Sequence, residues 1–190
     1  MSNRYKIVDQ RGLYFLTLTV EGWVDIFSRK AYRDVLIESL KYCQDHKGLQ
    51  IYAYVIMTNH LHLVVRSDGE LSLSEIIGQF KSYVATSILK DLPSAAESRK
   101  EWLLYLFGYF AKVNKRKSTH QFWKTDNHPI ELYSEKVIRQ KLDYIHYNPV
   151  RAGWVNFPQH YNYSSASNYL AEGKGILEVS VLDQYYERPS

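Results

Sequence analysis

Two histidines, His60 and His62, flank a single leucine in the segment HLHLVVR. In a β-strand successive side chains alternate between the two faces, so residues i and i+2 project from the same face. Both imidazoles would therefore point the same way, and Leu61 would point to the opposite face. Two such imidazoles can bind one metal ion, although a short motif of this kind more often binds none. The spacing alone leaves both interpretations open.

A phenol and an amide lie four residues apart, at Tyr144 and Asn148 in the segment DYIHYNP. Side chains at i and i+4 share one face of a helix. The apolar residues Ile138, Leu142 and Ile145 occupy a largely different face, which is the one expected to be buried. An amide oxygen can complete a metal site begun by two histidines. On these residues alone, the favoured alternative is that the tyrosine packs and the asparagine caps the helix.

The elements that must position these groups follow from the hydrophobic patterns. β-branched and aromatic runs predict strands, and apolar residues three and four apart predict amphipathic helices. We expect strands at 12–23, 49–57, 60–66 and 121–124, and helices at 30–47, 72–91 (with Ser72 or Ser74 as its cap), 94–113 and 134–148. Pro149 is expected to end the last helix, because proline disfavours a helical residue before it. Without the helix at 94–113, this order predicts an α+β fold of the ferredoxin-like type, an antiparallel sheet with helices on one face.

The composition narrows the class of protein. The 190 residues carry a net charge of +4, and 17 of them are tyrosines. Aromatic side chains interleaved with lysine suit single-stranded nucleic acid, although most of these tyrosines are expected in the core. Cys43 is the only cysteine, which excludes an intrachain disulfide and a cysteine-based zinc site. Without a transmembrane-length apolar run or a signal sequence, we predict a cytoplasmic protein with no membrane partner.

Both motifs together resemble a known family. Segment 55–64, VIMTNHLHLV, resembles the HUH motif (histidine, hydrophobic residue, histidine) of single-tyrosine transposases. Segment 143–155, DYIHYNPVRAGWV, resembles the tyrosine helix of one branch, the REP-associated tyrosine transposases. The pair at 122–123 and the segment YSS at 163–165 are similar to that branch too. The two motifs in this order are specific in a way that neither is alone.

The resemblance implies both a site and a reaction. It implies that His60 and His62 hold a divalent metal ion, Mg²⁺ or Mn²⁺, and that Tyr144 is the nucleophile. Asn148 matches the helix position that supplies a third metal ligand. The implied activity is metal-dependent nicking and strand transfer on hairpin-containing, single-stranded DNA through a 5′-phosphotyrosine intermediate. The implied assembly is a monomer or a homodimer, so the tyrosine could serve its own histidines or those of a partner.

Two other functions remain open. The first is a non-catalytic hairpin DNA-binding protein derived from a transposase, which would form a tight complex without cleavage. The second is a metal-dependent hydrolase or RNA-processing enzyme on the same fold, which would release a 5′-phosphate without a protein adduct.

Positive side chains are the expected DNA contacts. The densest cluster follows the helix at 94–113 and consists of Lys112, Lys115, Arg116 and Lys117. Lys81 and Arg151 are further candidates, and binding through such contacts should weaken steeply with salt. We expect residues 1–190 to form one transposase-like domain with a helical, basic insertion at 94–119 and a C-terminal tail at 170–190.

Overall fold

The computed structural model describes residues 6–170, 175–182 and 184. Its strands are β1 (Tyr14–Thr19), β2 (Leu49–Ile56), β3 (His60–Ser67) and β4 (Ile130–Glu131). Its α-helices are α1 (Lys30–Lys47), α2 (Leu73–Asp91), α3 (Lys100–Val113), α4 (Glu135–Arg151) and α5 (Ala166–Leu170). Short 3₁₀ turns lie at Glu21–Trp23, Ile26–Ser28 and Pro158–His160. None of the helices in these ranges is long and apolar enough to cross a membrane.

The four strands form one antiparallel sheet in the order β2-β3-β1-β4. With α1 after β1 and α2 after β3, the chain follows the β-α-β-β-α-β order of the ferredoxin-like fold, which confirms the predicted fold class. A tight turn at 58–59 joins β2 to β3, closed by a 2.8 Å hydrogen bond from the amide of Met57 to the carbonyl of His60. This hairpin fixes the position of the two histidines at the start of β3.

The sheet is covered on both faces. Helices α1 and α2 pack on one face against alternate residues of the strands, including Leu16, Leu18, Leu61 and Leu63. Helix α4 packs on the other face through Ile138, Leu142 and Ile145, against Phe15, Val55 and Val64. The ferredoxin-like helices therefore share one face, as expected, and the tyrosine-bearing helix covers the second face.

The fourth strand is not at 121–124, so that prediction was wrong. There Trp123 forms only an isolated bridge to Val20, and β4 pairs further along with the start of β1. Between these two contacts the carbonyl of Asn127 accepts a 2.9 Å hydrogen bond from the amide of Thr17. The whole segment thus follows the β1 edge, but a polar loop interrupts the regular pairing and leaves a strand of two residues.

Helix α3 begins at Lys100, six residues later than predicted. The turn before it buries the carboxylate of Glu97, whose exposed fraction is 3%. Arg29 and Arg99 bind the two oxygens of this carboxylate through their Nε atoms at 2.8 and 3.1 Å. The turn before α3 thus contains an ion pair to the residue that precedes α1, a long-range contact that local periodicity does not reveal.

Helix α4 continues through Pro149 to Arg151, although proline was expected to end it. Because Pro149 lies in the last turn, its missing N–H removes only one helical hydrogen bond. Its buried ring packs in the protein, and its carbonyl accepts a 3.0 Å hydrogen bond from the amide of Trp154.

Part of the C-terminal tail lies along the sheet. The amide of Ser180 donates to the carbonyl of Ile51 at 2.9 Å, and Leu177 is buried against the α1–α2 core. Of the tail predicted at 170–190, residues 171–174, 183 and 185–190 lie outside the described residues.

Candidate active site at the paired histidines

Strand β3 presents both histidines to the α4 face of the sheet. Their ring centroids lie 4.7 Å apart with an interplanar angle of 70°. Leu61 between them is fully buried in the opposite core, as the strand alternation predicts. His62 is 3% exposed, whereas His60 is partly open to solvent. The pair thus forms one nitrogen-rich corner at the start of β3.

Each histidine has its Nδ1 atom engaged by a neighbouring side chain. Asn59 Oδ1 lies 2.5 Å from Nδ1 of His60, and because a carbonyl oxygen can only accept, this nitrogen donates. Thr17 Oγ1 lies 3.0 Å from Nδ1 of His62. When that nitrogen donates to the hydroxyl oxygen, Nε2 of His62 carries a lone pair. This Nε2 is buried and has no hydrogen-bond partner among the described residues.

Burial lowers the pKa of both histidines. The pKa of His62 falls to about 3, mainly because its ring is desolvated, with smaller contributions from the neighbouring His60 and Lys141. Desolvation also lowers the pKa of His60. Both imidazoles are therefore neutral near pH 7, which is the form that binds metal ions. A buried, unpartnered and neutral nitrogen is what a metal ligand requires, so these residues fit a divalent ion.

Tyr144 lies beside the histidines of its own chain. Its ring centroid is 5.0 Å from that of His62, with an interplanar angle of 70°. Phe15 of β1 contacts both rings, with centroid distances of 5.2 Å to His62 and 5.9 Å to Tyr144. Tyr144 is 38% exposed, so part of the residue is open to solvent. The structure brings together the two motifs that lie more than eighty residues apart in the sequence.

Two cations lie close to the tyrosine ring. The guanidinium carbon of Arg151 is 5.9 Å from the ring centroid of Tyr144, and Nζ of Lys141 is 5.8 Å from it. Arg151 was among the predicted DNA contacts, whereas sequence reasoning missed Lys141. Its position three residues before Tyr144 on one helix was the available signal. Positive charge at this point suits a phosphate group.

Asn148 follows Tyr144 by one helical turn on the same side of α4. Among residues 6–170, 175–182 and 184 no group of three or more His, Cys, Asp or Glu side chains could hold a metal ion. The third ligand predicted from the sequence is an amide oxygen, that of Asn148. The role of Asn148 as that ligand stays a prediction.

His146 points away from the site. It is fully buried, and its Nε2 lies 2.9 Å from Oγ of Ser165. Desolvation lowers its pKa to about 3. Although it lies between Tyr144 and Asn148 in sequence, it belongs to the packing between α4 and the segment before α5.

The remaining predicted DNA contacts lie elsewhere. Lys81 and Arg116 line a groove of about 650 Å³ between α2 and the segment 116–125. Nζ of Lys81 donates to the carbonyl of Lys124 at 2.9 Å and to Oδ1 of Asn127 at 2.6 Å, and burial lowers its pKa to about 8. Three of the predicted DNA contacts do not line this groove and are exposed near the end of α3: Lys112, Lys115 and Lys117. DNA binding by all of these residues stays a prediction.

A ferredoxin-like sheet with a histidine pair beside a helix tyrosine is the arrangement that the resemblance to single-tyrosine transposases implies. Residues 14–125, more than half of the chain, match the family described as Transposase IS200 like. The chain therefore belongs to the IS200-like transposase family, which confirms the resemblance.

Two further proteins are similar over most of the chain. A protein of Haemophilus influenzae named "Putative REP-associated tyrosine transposase" is 24% identical over 168 residues, which cover 87% of this chain and 85% of the relative. The solved structure of a REP-associated tyrosine transposase bound to a REP hairpin superimposes with a TM-score of 0.59 at 17% identity, covering 95% of this chain and 92% of the other. The latter similarity supports the fold assignment.

Proposed function

We propose that this chain nicks and rejoins single-stranded DNA next to a hairpin, with Tyr144 as its nucleophile. The observation that supports this most directly is the partly exposed ring of Tyr144, 5.0 Å from the ring of His62 in the same chain. Membership of the IS200-like transposase family supports the reaction class. The hairpin substrate is inferred from the relative that was solved with a REP hairpin.

The reaction exchanges one phosphoester bond for another. The phenol oxygen of Tyr144 attacks the scissile phosphorus, and the bond from phosphorus to the 3′ oxygen breaks. The strand downstream of the break stays on the protein through its 5′-phosphate as a phosphotyrosine, and the 3′ oxygen of the upstream strand leaves as a hydroxyl with the proton that the phenol lost. Because the covalent link retains a phosphoester, a 3′-hydroxyl can reverse the step and join new ends without ATP.

His60, His62 and Asn148 would hold a divalent ion, Mg²⁺ or Mn²⁺. When bound, such an ion withdraws negative charge from the scissile phosphate. The residues around the ligands fix their orientation, since Thr17 and Asn59 engage the Nδ1 atoms and leave the Nε2 atoms for the metal. Lys141 and Arg151 would bind the non-bridging phosphate oxygens and hold the phosphorus near the phenol.

The distance from Tyr144 to His62 within one chain supports action in cis. A mixture of Tyr144→Phe and His62→Ala proteins should then remain inactive, because neither chain has a complete site. If partners exchanged their tyrosine helices, some dimers in the mixture would carry one intact site. Recovery of adduct formation in the mixture would contradict action in cis without affecting the nature of the nucleophile.

The test of the nucleophile is an adduct assay. Labelled single-stranded hairpin DNA from around the gene is incubated with the protein and Mn²⁺ or Mg²⁺, then separated on a denaturing gel. We expect a DNA–protein adduct that disappears in Tyr144→Phe. The matched control is Tyr133→Phe, which removes a hydroxyl from a tyrosine that is 83% exposed just before α4. It should keep the adduct.

The other outcomes identify the alternatives. Adduct at the wild-type level in Tyr144→Phe would contradict this assignment. Specific binding to several hairpins without any adduct would favour the non-catalytic DNA-binding protein. A released 5′-phosphate without a protein adduct would favour the hydrolase.

A further inference from the structure

The turn after β1 holds an exposed tryptophan in a left-handed backbone conformation. Trp23 has φ of +58°, a region that large L-residues rarely adopt. Its side chain is nevertheless 59% exposed, so burial does not compensate for this backbone. Residues kept in such conformations cost free energy and cluster at binding sites and active sites. Trp23 therefore calls for an explanation other than packing.

The insertion helix α3 holds this turn in place. Gly22 also has a positive φ, +68°, and a Cβ atom there would lie 2.6 Å from the ring of Phe110 on α3. The amide of Trp23 donates to the carbonyl of Val20 at 3.1 Å. Glycine at position 22 thus allows α3 to pack directly against the backbone of the turn. The helix predicted as an insertion thereby supports a surface loop beside β1.

A single asparagine joins this turn to the candidate active site. Nδ2 of Asn59 donates to the carbonyl of Trp23 at 3.2 Å, and Oδ1 of the same side chain accepts from Nδ1 of His60 at 2.5 Å. In the sheet, His60 is the cross-strand partner of Thr19, four residues before Trp23. The backbone of the turn that carries the exposed indole is therefore joined to His60 through one asparagine side chain.

The indole also has a cation beside it. Nζ of Lys124 lies 4.3 Å from the ring centroid of Trp23. The amide of Lys124 donates to the carbonyl of Thr19 at 2.9 Å, and Nζ of Lys81 donates to the carbonyl of Lys124. An exposed indole with an ammonium group beside it is the combination that binds single-stranded DNA, where a base stacks and its phosphate pairs with a cation.

We propose that Trp23 and Lys124 bind the nucleotide that flanks the scissile phosphate, with the indole stacked on its base and the ammonium paired with its phosphate. This inference rests on the proposed function, because it assigns a substrate contact beside the same site. Stacking on an aromatic ring tolerates any base. The contact would hold the strand unpaired at the site, and sequence recognition would come from elsewhere.

The test measures stacking without chemistry. The Tyr144→Phe protein, without added metal, is titrated into single-stranded oligodeoxythymidine that carries one 2-aminopurine. We expect the emission of the probe to change on binding. With Trp23→Ala added, binding should weaken about tenfold and this emission change should be lost. The matched control is Tyr83→Ala, which removes a 61% exposed aromatic ring from a groove between α1 and α2. It should change neither the binding affinity nor the emission of the probe.

Two further variants separate DNA binding from folding. Trp23→Gly removes the indole but suits a positive φ, so the thermal midpoint should not fall while DNA binding weakens. Lys124→Met should weaken binding and lower the salt dependence by about one phosphate contact. If Trp23→Gly lowers the thermal midpoint and leaves DNA binding unchanged, the residue is structural and the proposal is overturned.

The DNA-binding test and the adduct assay can each contradict one proposal without contradicting the other. A wild-type protein that forms the adduct, with Trp23 variants that bind DNA normally, would overturn this inference alone. Stacking that depends on Trp23 in a protein that forms no adduct would overturn the proposed reaction and keep the contact.

Discussion

The two faces of the sheet bury different kinds of side chain. The face under α1 and α2 is a continuous apolar cluster that includes Leu18, Leu40 and Phe80. The face under α4 has a smaller apolar cluster. Beside it lie both of the histidines that are buried in the described part of the chain, His62 and His146. One sheet therefore separates a face whose core is mostly apolar, with the small hydroxyl of Ser39 among its buried groups, from a face that buries two imidazoles.

The difference between the two faces indicates how a small domain can hold polar groups at defined positions. Burying an imidazole costs free energy unless it is hydrogen-bonded, and the cost is lowest where the surroundings already fix its partner. The strand that carries His62 is anchored on its other face by fully buried residues such as Leu61 and Leu63. The apolar face thus supplies stability, and the α4 face can hold an unpartnered nitrogen at a defined position.

The largest expected effect is the loss of activity when a histidine is removed from the α4 face. His62→Ala should lower metal-dependent adduct formation by about a thousandfold or more, because one of the proposed metal ligands is gone. Val64→Ala is the control, since Val64 is buried one step further along the same face of β3. It should lose about 2 kcal/mol of stability and keep its activity. Adduct formation by His62→Ala near the wild-type rate would contradict the role of His62 as a metal ligand.

A truncation on the apolar face should have the opposite signature. Leu40 of α1 is fully buried in the α1–α2 cluster. Leu40→Ala should lower the free energy of unfolding by about 3 kcal/mol, measured by urea denaturation. The rate of adduct formation should stay unchanged well below the unfolding midpoint. A fall in that rate without unfolding would show that packing on the α1–α2 face also affects activity.

Acid should destabilise the protein through the α4 face. The pKa of His146 is about 3 in the fold and 6.5 as the reference value. Between these values the unfolded chain binds more protons, so stability is complete above pH 6.5 and falls as the pH drops below it. At pH 5 this histidine alone should cost about 2 kcal/mol.

The measurement is urea denaturation at pH 7 and pH 5. In His146→Gln the difference between the two free energies of unfolding should shrink by about 2 kcal/mol. His46→Gln changes an exposed histidine at the end of α1 and should keep the wild-type difference. An unaltered difference in His146→Gln would show that the acid sensitivity arises elsewhere.

The smallest expected effect concerns the partner of a proposed ligand. Thr17→Val removes the hydroxyl that lies 3.0 Å from Nδ1 of His62 and keeps the shape of the side chain. Such partners orient ligands, so affinity for Mn²⁺ should fall about tenfold or more, with little change in stability. Thr17→Ser restores the hydroxyl and should restore the affinity, measured by calorimetry. Equal affinities in all three proteins would show that Thr17 does not orient the ligand.

Local patterns predicted much of this molecule. The predicted bounds of α1 match those observed, because apolar spacing and the glycine after Lys47 are both local signals. The capping box of Ser72 and Glu75 starts α2 where the sequence places it. The orientation of His60 and His62 followed from strand alternation, which needs no tertiary contact.

Long-range contacts were not predictable from such patterns. The fourth strand was misplaced because β4 owes its two-residue pairing to the start of β1, more than a hundred residues earlier. The turn before α3 contains an ion pair between Glu97 and Arg29, which lie far apart in the sequence. Thr17 gave no local sign of its contact with His62, because the two meet only across neighbouring strands.

Strand and helix periodicity were enough to predict which groups share a face: two imidazoles on one strand, and a phenol and an amide on one helix. Contact between these two faces, and the link from the carbonyl of Trp23 through Asn59 to His60, depend on the tertiary structure. The physical reason is that periodicity depends on backbone geometry a few residues long, whereas contact between distant segments depends on how the whole sheet and its helices pack.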